Sequence, residues 1–319
     1  MQIAPMHIVF CVNDAYVPYI CVTIKSIAEN NRLQPINIHV LIDFISAVSR
    51  SKLNEVINEN VSLSCHIYLV DDAPLRNLET NNWPIYAWYR ILIPGMLPSD
   101  IKKVLYLDAD TLVVADLNGL FEMDMTNKAI ASVVEDNTFN QRYYERLGYD
   151  KSKHYICSGV LLMNLKYWRE HHLAEKMIEW AQINAERLKL PDQDTINYIC
   201  QDTKILLPLR FGVVQWFFHI DKFYEPPYLQ ELEDCLRNPA IIHYGFCPPW
   251  VMDSPKHLMQ KEWERYNKML RHPVKSIYKA KGWMLIKSIL WDVFHLFKGR
   301  YPLTIKDACA KIASKKQEY

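Results

Sequence analysis

The first seventy residues alternate short apolar runs with amphipathic stretches, and this alternation limits the possible folds more than any other feature. The runs His7–Val12, Ile36–Ile42 and Ser62–Val70 have the length and composition of buried strands. Between them, Tyr16–Asn30 and Val48–Asn60 have the character of helices. This β-α-β-α-β order predicts an α/β fold, with a Rossmann-like, mostly parallel central sheet flanked by helices.

The same pattern continues beyond residue 100. With 319 residues, half of them hydrophobic, the chain can form one large domain or two small ones. Further strands are predicted at Lys103–Leu107, Thr111–Val114, Ala129–Val134 and Gly159–Leu165, and further helices at Leu173–Leu188 and Gln193–Gln201.

The C-terminal segment differs in charge from the rest of the chain. Residues 271–319 carry 11 basic and 3 acidic side chains, against 26 and 33 in residues 1–270. We therefore predict a catalytic domain at 1–270 and a basic helical tail at 271–319. Within the tail, Tyr278–Arg300 reads as a basic amphipathic helix that lies on an anionic membrane. A helix packed on the domain with a solvated basic face is the alternative.

No charged signal sequence and no apolar run long enough to span a bilayer are found. The expected location is therefore cytoplasmic, peripheral on the inner face of the cell membrane. The tail could also attract nucleic acid, but no recognition motif supports that partner.

The sharpest chemical signal is an apolar strand that ends at Asp108 and Asp110. In open α/β sheets, ligands bind beyond the carboxyl ends of strands. Two carboxylates there repel each other unless a cation lies between them. Their oxygens suit Mg²⁺ or Mn²⁺, which also bind diphosphate oxygens. Taken alone, the motif is also compatible with a polar turn.

Three other segments place polar side chains beside apolar runs. Asn13, Asp14 and Tyr16 follow the first strand, where they could hold a nucleotide base and ribose. Asp192 lies at the start of a helix, where aspartate is also a common cap. His243 ends an apolar run, and with two aspartates elsewhere it becomes a candidate third metal ligand. Taken singly, an ordinary turn, a cap and a structural histidine are the competing interpretations.

Six motifs occur in order between about Met6 and Trp250, namely IVFCVNDAYVPY, YAWYRILIP, VLYLDAD, CSGVLLMNLKYW, PDQD and IIHY. Their order and spacing together resemble glycosyltransferase family 8, in particular the bacterial lipopolysaccharide galactosyl- and glucosyltransferases. The resemblance implies a GT-A fold and a retaining enzyme that moves galactose or glucose from a UDP-hexose. It also implies an oligosaccharide or lipid-linked glycan acceptor, used in lipopolysaccharide or surface-glycan synthesis.

The resemblance also implies roles for individual residues. Asp108, Asp110 and His243 would coordinate Mn²⁺, or Mg²⁺. Asp192 and Gln193 match the catalytic pair beside the transferred sugar. The remaining expectations are donor binding by Cys11, Asn13, Asp14, Tyr16, Arg90, Asp108, Ala109 and Asp110, and acceptor binding by Cys157 and Asp136, for which the neighbouring Glu135 is the other possible match.

Two positions depart from the family pattern. The family usually carries a lysine just before its final Pro-Trp pair, whereas this chain has Pro248 there, before Pro249 and Trp250. Proline supplies no charge, so the diphosphate must rely more on the metal and Arg90 or on another lysine. Cys157 stands where the family usually has asparagine, which leaves the identity of the sugar open.

The expected mechanism is front-side attack by the acceptor hydroxyl on the sugar C1 while the C1–O bond to UDP breaks, and the departing phosphate oxygen takes the hydroxyl proton. Charge builds on the leaving diphosphate, while the sugar gains oxocarbenium character. The amide oxygen of Gln193 is a poor nucleophile, so Gln193 would stabilise positive charge instead. Asp192 would bind sugar hydroxyls or stabilise the same cationic centre.

Two other functions are compatible with parts of the sequence. A nucleotidyltransferase also uses paired aspartates and a metal, but it would need a glycine-rich phosphate loop near the N-terminus, and none is found. A catalytically weakened sugar-nucleotide-binding protein is favoured only by the missing lysine before Pro249.

Overall fold

The computed structural model describes residues 4–135, 142–218, 226–252, 257–277 and 304–316. The strands are β1 (Met6–Cys11), β2 (Ile36–Ile42), β3 (Leu63–Leu69), β4 (Lys103–Leu107), β5 (Thr111–Val113), β6 (Ile130–Ser132), β7 (Val160–Asn164), β8 (Lys204–Leu206) and β9 (Ile241–His243). The α-helices are α1 (Val17–Asn30), α2 (Ala47–Asn58), α3 (Ile93–Met96), α4 (Asn118–Phe121), α5 (Arg142–Leu147), α6 (Leu165–Glu170), α7 (Leu173–Ile183), α8 (Pro191–Ile199), α9 (Pro226–Arg237), α10 (Gln260–Asn267) and α11 (Ile305–Lys316).

The central sheet has seven strands in the order β3-β2-β1-β4-β7-β6-β8. Strand β1 pairs in parallel with β2 and β4, and β2 pairs in parallel with β3. Strand β7 runs antiparallel to both of its neighbours, β4 and β6. The predicted α/β class with a mostly parallel sheet is therefore confirmed.

Both faces of this sheet are covered. Ile8 and Phe10 of β1 belong to a core cluster that includes buried residues of α1 and α2. Val9, the residue between them, belongs to a second cluster on the opposite face, with Trp168 of α6 and Met177 of α7. Because neighbouring side chains of a strand point to opposite faces, the continuous apolar run in β1 reflects burial on both.

Several predicted elements differ from the structure in extent or pairing. Thr111–Val113 is a strand, but it leaves the main sheet and pairs antiparallel with β9. The helix predicted at Leu173–Leu188 ends at Ile183 and is followed by a 3₁₀ turn. The helix predicted to start at Gln193 begins at Pro191, since proline is well suited to the first turn of a helix.

The described ends of the basic tail contact the preceding domain. Ile277 forms a β-bridge with Val251, while Ala308, Cys309 and Ile312 of α11 are buried in a third core cluster, beside α9. The boundary predicted at residue 271 stays a prediction, and the helix predicted at Tyr278–Arg300 lies outside the described residues. Within the described part of the chain, no helix is both long and apolar enough to cross a bilayer.

A row of histidines crosses the first three strands. His7 Nδ1 lies 2.9 Å from His39 Nε2, and His39 Nδ1 lies 3.1 Å from the Tyr68 hydroxyl. The ring of His39 also stacks on His66, with 5.3 Å between centroids. His39 is only 1% exposed, so a proton on this ring would be poorly solvated.

Replacing His39 with Gln should make the protein less sensitive to mild acid. Burial, followed by the positive charges of His7 and His66, lowers the pKa of His39 from 6.5 to about 3. Between these values the unfolded chain binds a proton that the folded chain does not, so stability falls as the pH falls. From pH 7 to pH 5, this group should lower the free energy of unfolding by about 2 kcal/mol.

Urea unfolding at pH 7 and pH 5, followed by tryptophan fluorescence, measures this loss in the wild type and in His39→Gln. The variant should lose about 2 kcal/mol less between the two pH values. An equal loss in both proteins would show that His39 does not control the acid response.

Candidate active site

A short antiparallel ribbon brings two aspartates of one segment next to a histidine far along the chain. Strand β4 ends at Leu107, and the turn that carries Asp108 and Asp110 leads into β5. Thr111 of β5 pairs with His243 of β9, and the Tyr244 N–H donates to the carbonyl of Asp110, 2.9 Å away. The ribbon therefore fixes His243 beside the aspartate turn.

The three side chains have the geometry of a cation site. His243 Nε2 lies 3.3 Å from Asp110 Oδ1 and 3.7 Å from Asp108 Oδ2. Ligands about 2.1 Å from an octahedral ion are about 3 Å apart, so a small adjustment would close these three around Mn²⁺ or Mg²⁺. Two carboxylates and one imidazole are also the ligand types that Mn²⁺ accepts. The residues present therefore fit a divalent metal.

The guanidinium of Arg90 lies behind this site. Arg90 belongs to a 3₁₀ helix, Ile85–Leu92, and is 4% exposed. Its Nη2 donates to Asp108 Oδ1 at 3.0 Å, and its Nη1 lies 3.2 Å from Asp192 Oδ2. Nη1 also donates to the carbonyl and the hydroxyl of Ser158, both at 2.8 Å. Burial alone would lower the pKa of Arg90, but the two carboxylates raise it above its ordinary value.

The pairing of Arg90 orients Asp108. The hydroxyl of Tyr106 also donates to Asp108 Oδ1, in a short hydrogen bond. With Oδ1 held by Arg90 and Tyr106, Oδ2 is the oxygen that faces His243. One carboxylate thus links the buried cation to the candidate metal site.

The first turn of α8 places Asp192 and Gln193 at the same site. Gln193 Oε1 accepts from the Ser158 N–H at 2.9 Å, and Gln193 Nε2 donates to Glu135 Oε2 at 2.8 Å. Asp192 Oδ2 accepts from the Ser158 hydroxyl at 3.2 Å. The resemblance paired Asp192 with Gln193, and the structure shows that Ser158 joins them.

Glu135 is a cavity residue that the sequence analysis named only as the alternative match to Asp136. This residue is 5% exposed and lines the same cavity as Asp108, Asp110 and His243, the candidate metal triad. Burial raises its pKa to about 7, despite the hydrogen bond from Gln193. Asp136, which was predicted to bind the acceptor, lies outside the described residues. The only signal for Glu135 was its place beside Asp136 at the end of an apolar strand.

A model of the family described as glycosyl transferase family 8 matches residues 7–252. The chain belongs to this family. It is 26% identical over 245 residues to a lipopolysaccharide 1,2-glucosyltransferase of Escherichia coli, covering 75% of this chain and 71% of the relative. It is 27% identical over 270 residues to general stress protein A of Bacillus subtilis, covering 82% and 92%.

A solved structure shows the same fold. The galactosyltransferase LgtC, in complex with donor and acceptor sugar analogues, superposes with a TM-score of 0.72 at 24% identity, covering 89% of this chain and all of LgtC. At this identity the likeness establishes the fold, so the predicted GT-A fold is confirmed. The family membership makes the chain a glycosyltransferase.

In this family 8 protein, the metal triad opens into a cavity of about 420 Å³. Cys11, Tyr16 and Ala109, all predicted to bind the donor, line it together with Arg90. Among the described residues that line the cavity, Arg90 is the only arginine, and there is no lysine. Pro248, which stands where the resemblance implies a lysine, lines the wall and brings no charge to it.

Asn13, Asp14 and Cys157 have different surroundings. Asp14 Oδ1 accepts from the Ser46 N–H at 2.8 Å, which joins the end of β1 to the start of α2. Asn13 Oδ1 is buried and has no hydrogen-bond partner among the described residues. Cys157 lines the cavity, but its sulfur lies 3.4 Å from His243 Nδ1 and so supports the back of that ring. Their predicted donor and acceptor roles stay predictions.

Gly159 lies where the metal triad leaves no room for a side chain. A Cβ atom there would lie 2.3 Å from His243 Cε1 and 2.8 Å from Asp108 Oδ2. Gly159→Ala should therefore push His243 and Asp108 apart and weaken Mn²⁺ binding by roughly 10- to 100-fold, as displaced supports of metal ligands do. Titration calorimetry with Mn²⁺ in the presence of UDP measures the effect.

The matched control for this prediction is Gly119→Ala. A Cβ atom at Gly119 meets nothing within 4 Å, so this variant should bind Mn²⁺ like the wild type. The melting temperature of Gly119→Ala should stay near that of the wild type, whereas overpacking should lower the stability of Gly159→Ala by about 1–3 kcal/mol without unfolding it. Unchanged Mn²⁺ affinity in a folded Gly159→Ala protein would show that the triad does not hold the metal.

Proposed function

We propose that this protein is a metal-dependent, retaining hexosyltransferase that moves galactose or glucose from a UDP-hexose to a saccharide. The convergence of Asp108, Asp110 and His243 on the wall of a cavity of about 420 Å³ carries the proposal. A role in lipopolysaccharide or surface-glycan synthesis is supported by curated relatives named lipopolysaccharide glucosyltransferase and galactosyltransferase. The acceptor we propose is an oligosaccharide or a lipid-linked glycan.

The donor diphosphate has few positive partners in this cavity. With Pro248 in place of lysine, Arg90 is the only arginine or lysine among the described residues of the wall, and two carboxylates already share its charge. A divalent cation held by the triad, Mn²⁺ or Mg²⁺, would supply Lewis-acid stabilisation of the leaving diphosphate. We therefore expect activity to depend on the metal more strongly than in relatives that keep the lysine.

The remaining groups act on the sugar. Asp192 lies beside Arg90 and Ser158, and burial raises its pKa although Arg90 lowers it. Gln193 lies next to Asp192 at the start of α8, with both polar ends of its side chain engaged by the protein. In the proposed front-side attack, Asp192 binds sugar hydroxyls or stabilises the cationic centre. Gln193 stabilises the developing positive charge without forming a bond to carbon.

The two alternative functions are less well supported. A nucleotidyltransferase would add a nucleotide to a sugar phosphate, whereas the family match extends over residues 7–252 and is to glycosyl transferases. A sugar-nucleotide-binding protein without catalysis would explain Pro248, but it would have no need of an intact triad and the buried Asp192–Gln193 pair.

Replacing Asp110 with Asn should lower the rate of UDP release on the order of 10²-fold or more, because a neutral amide binds the divalent cation poorly. UDP release from UDP-galactose and UDP-glucose, with saccharide acceptors and with or without Mn²⁺, measures the rate. The control is Asp100→Asn, at an exposed position, and it should release UDP at the wild-type rate. Near-normal, Mn²⁺-dependent activity in Asp110→Asn would contradict the assignment of the metal site.

We further propose that residues 271–319 bind an anionic membrane surface and hold the enzyme peripherally on the inner face of the cell membrane. The charge of this segment supports the proposal, and its described lysines Lys275, Lys306 and Lys311 are exposed. Deleting the segment would be a poor test, because α11 buries Ala308 and Ile312 against the domain. Neutralising the exposed lysines leaves that packing intact.

The triple variant Lys275→Gln, Lys306→Gln and Lys311→Gln should bind anionic vesicles on the order of 10²-fold more weakly, because each lysine near the surface contributes about 1 kcal/mol. Sedimentation with vesicles that contain phosphatidylglycerol measures binding, and added salt should release the wild type. The control replaces the exposed Lys102 and Lys166 with Gln and should bind normally. If the wild type ignores these vesicles at low salt, the tail is not a membrane anchor.

A further inference from the structure

Glu135 is a buried carboxylate in the cavity that the proposed mechanism does not use. Its N–H donates to the carbonyl of Tyr155 at 2.7 Å, next to the bridge between Val134 and Ile156, which holds its backbone in place. Its side chain accepts from Gln193 Nε2 at 2.8 Å and also has a hydrogen bond with the Cys157 thiol. No arginine or lysine forms an ion pair with it among the described residues.

A carboxylate without a cationic partner is costly to bury. Transfer from water penalises the charged form, and the raised pKa of Glu135 reflects this penalty. An apolar side chain of similar size would be cheaper at this place if packing were all that was required. The unfavourable burial of this carboxylate therefore indicates that it makes a specific contact.

The contact fixes the orientation of the Gln193 carboxamide. A glutamine side chain can rotate its amide by half a turn and exchange oxygen for nitrogen with little change in shape. On one side, the Ser158 N–H is a donor and requires the oxygen, at 2.9 Å. On the other side, Glu135 is an acceptor and requires the nitrogen, at 2.8 Å. The flipped amide would place donor against donor and acceptor against acceptor.

Tyr155 cannot replace Glu135 in this task. Its hydroxyl lies 3.4 Å from Gln193 Nε2, a longer contact, and it donates its proton to Asp194 at 2.7 Å. The single proton of this hydroxyl is therefore engaged elsewhere, and Glu135 is the closer acceptor that holds Gln193 Nε2.

We propose that Glu135 is a positioning residue, which holds the Gln193 carboxamide with its oxygen toward Ser158 and thereby presents it correctly to the sugar. The inference rests on the proposed function, in which Gln193 stabilises the transition state. It assigns Glu135 an effect on kcat that passes entirely through Gln193.

Two conservative variants separate this role from a role for charge. Glu135→Gln keeps the length of the side chain, and its amide oxygen can still accept from Gln193 Nε2, so kcat should stay within about threefold of the wild type. Glu135→Asp keeps the charge, but its carboxylate is one methylene shorter and falls short of Gln193, so kcat should fall about tenfold or more. If the charge itself acted on the sugar, Glu135→Asp would have a higher kcat than Glu135→Gln.

A double-mutant cycle tests whether the effect passes through Gln193. Gln193→Ala alone should lower kcat on the order of 10²-fold. Adding Glu135→Asp to Gln193→Ala should then lower kcat by less than about twofold, because the group that Glu135 positions is already absent. A merely structural role would multiply the two losses and would lower the melting temperature of the single Glu135→Asp protein in proportion.

The measurement is kcat and KM for UDP-galactose and UDP-glucose in the full chain with Mn²⁺, together with the melting temperature of every variant. A wild-type protein that releases no UDP from either donor would contradict the proposed function itself. An active wild type with independent, multiplicative losses, or with Glu135→Gln as impaired as Glu135→Asp, would overturn the positioning role alone. If Glu135→Asp does not fold, Glu135→Gln alone decides the test. A stable, inactive Glu135→Gln protein would overturn the positioning role, and a stable, active one would support it.

Discussion

The arrangement of the active site depends on the buried guanidinium of Arg90. This one group contacts the aspartate that follows β4, the aspartate in the first turn of α8, and Ser158, two residues before β7. Those three elements come from distant parts of the chain. Without the cation, two partly or fully buried carboxylates would face each other, at a cost of about 3–5 kcal/mol for a broken buried pair.

A second constraint is steric. Gly159 follows Ser158 and lies so close to His243 and Asp108 that no side chain fits between them. Its carbonyl also accepts from the Asp108 N–H at 2.9 Å. The ion pair with Arg90 therefore holds the carboxylate of Asp108, and the hydrogen bond to Gly159 holds its backbone. The carboxylate that faces the candidate metal site has little freedom to move.

The sequence predicted the first half of the fold well, because β1, β2 and β3 are buried on both faces and leave a clear apolar pattern. It predicted Thr111–Val114 as a strand but could not show its partner, since pairing with β9 links residues more than a hundred positions apart. The contact between Glu135 and Gln193 was not predicted, for a similar reason. Nothing local shows that its carboxylate meets the amide of Gln193, which depends on the fold bringing the end of β6 to α8.

The residues that the resemblance assigned to the site differ in their surroundings in the structure. Asp108, Asp110 and His243 converge as expected, because the turn between β4 and β5 carries both aspartates and β5 pairs with β9, which ends at His243. Asp14 was expected at the donor, yet its side chain is occupied by the backbone of Ser46. A polar residue after a strand can cap the next element or face a ligand, and the sequence cannot distinguish the two.

The candidate metal ligands are far apart along the chain, which affects when the site can form during synthesis on the ribosome. Asp108 and Asp110 are made long before His243, and the strand that carries His243 completes its ribbon only by pairing back onto β5. The parallel strands β1, β2 and β3 can assemble from the first seventy residues, whereas the metal triad cannot. The candidate metal site is therefore incomplete until the strand that carries His243 has emerged and paired with β5.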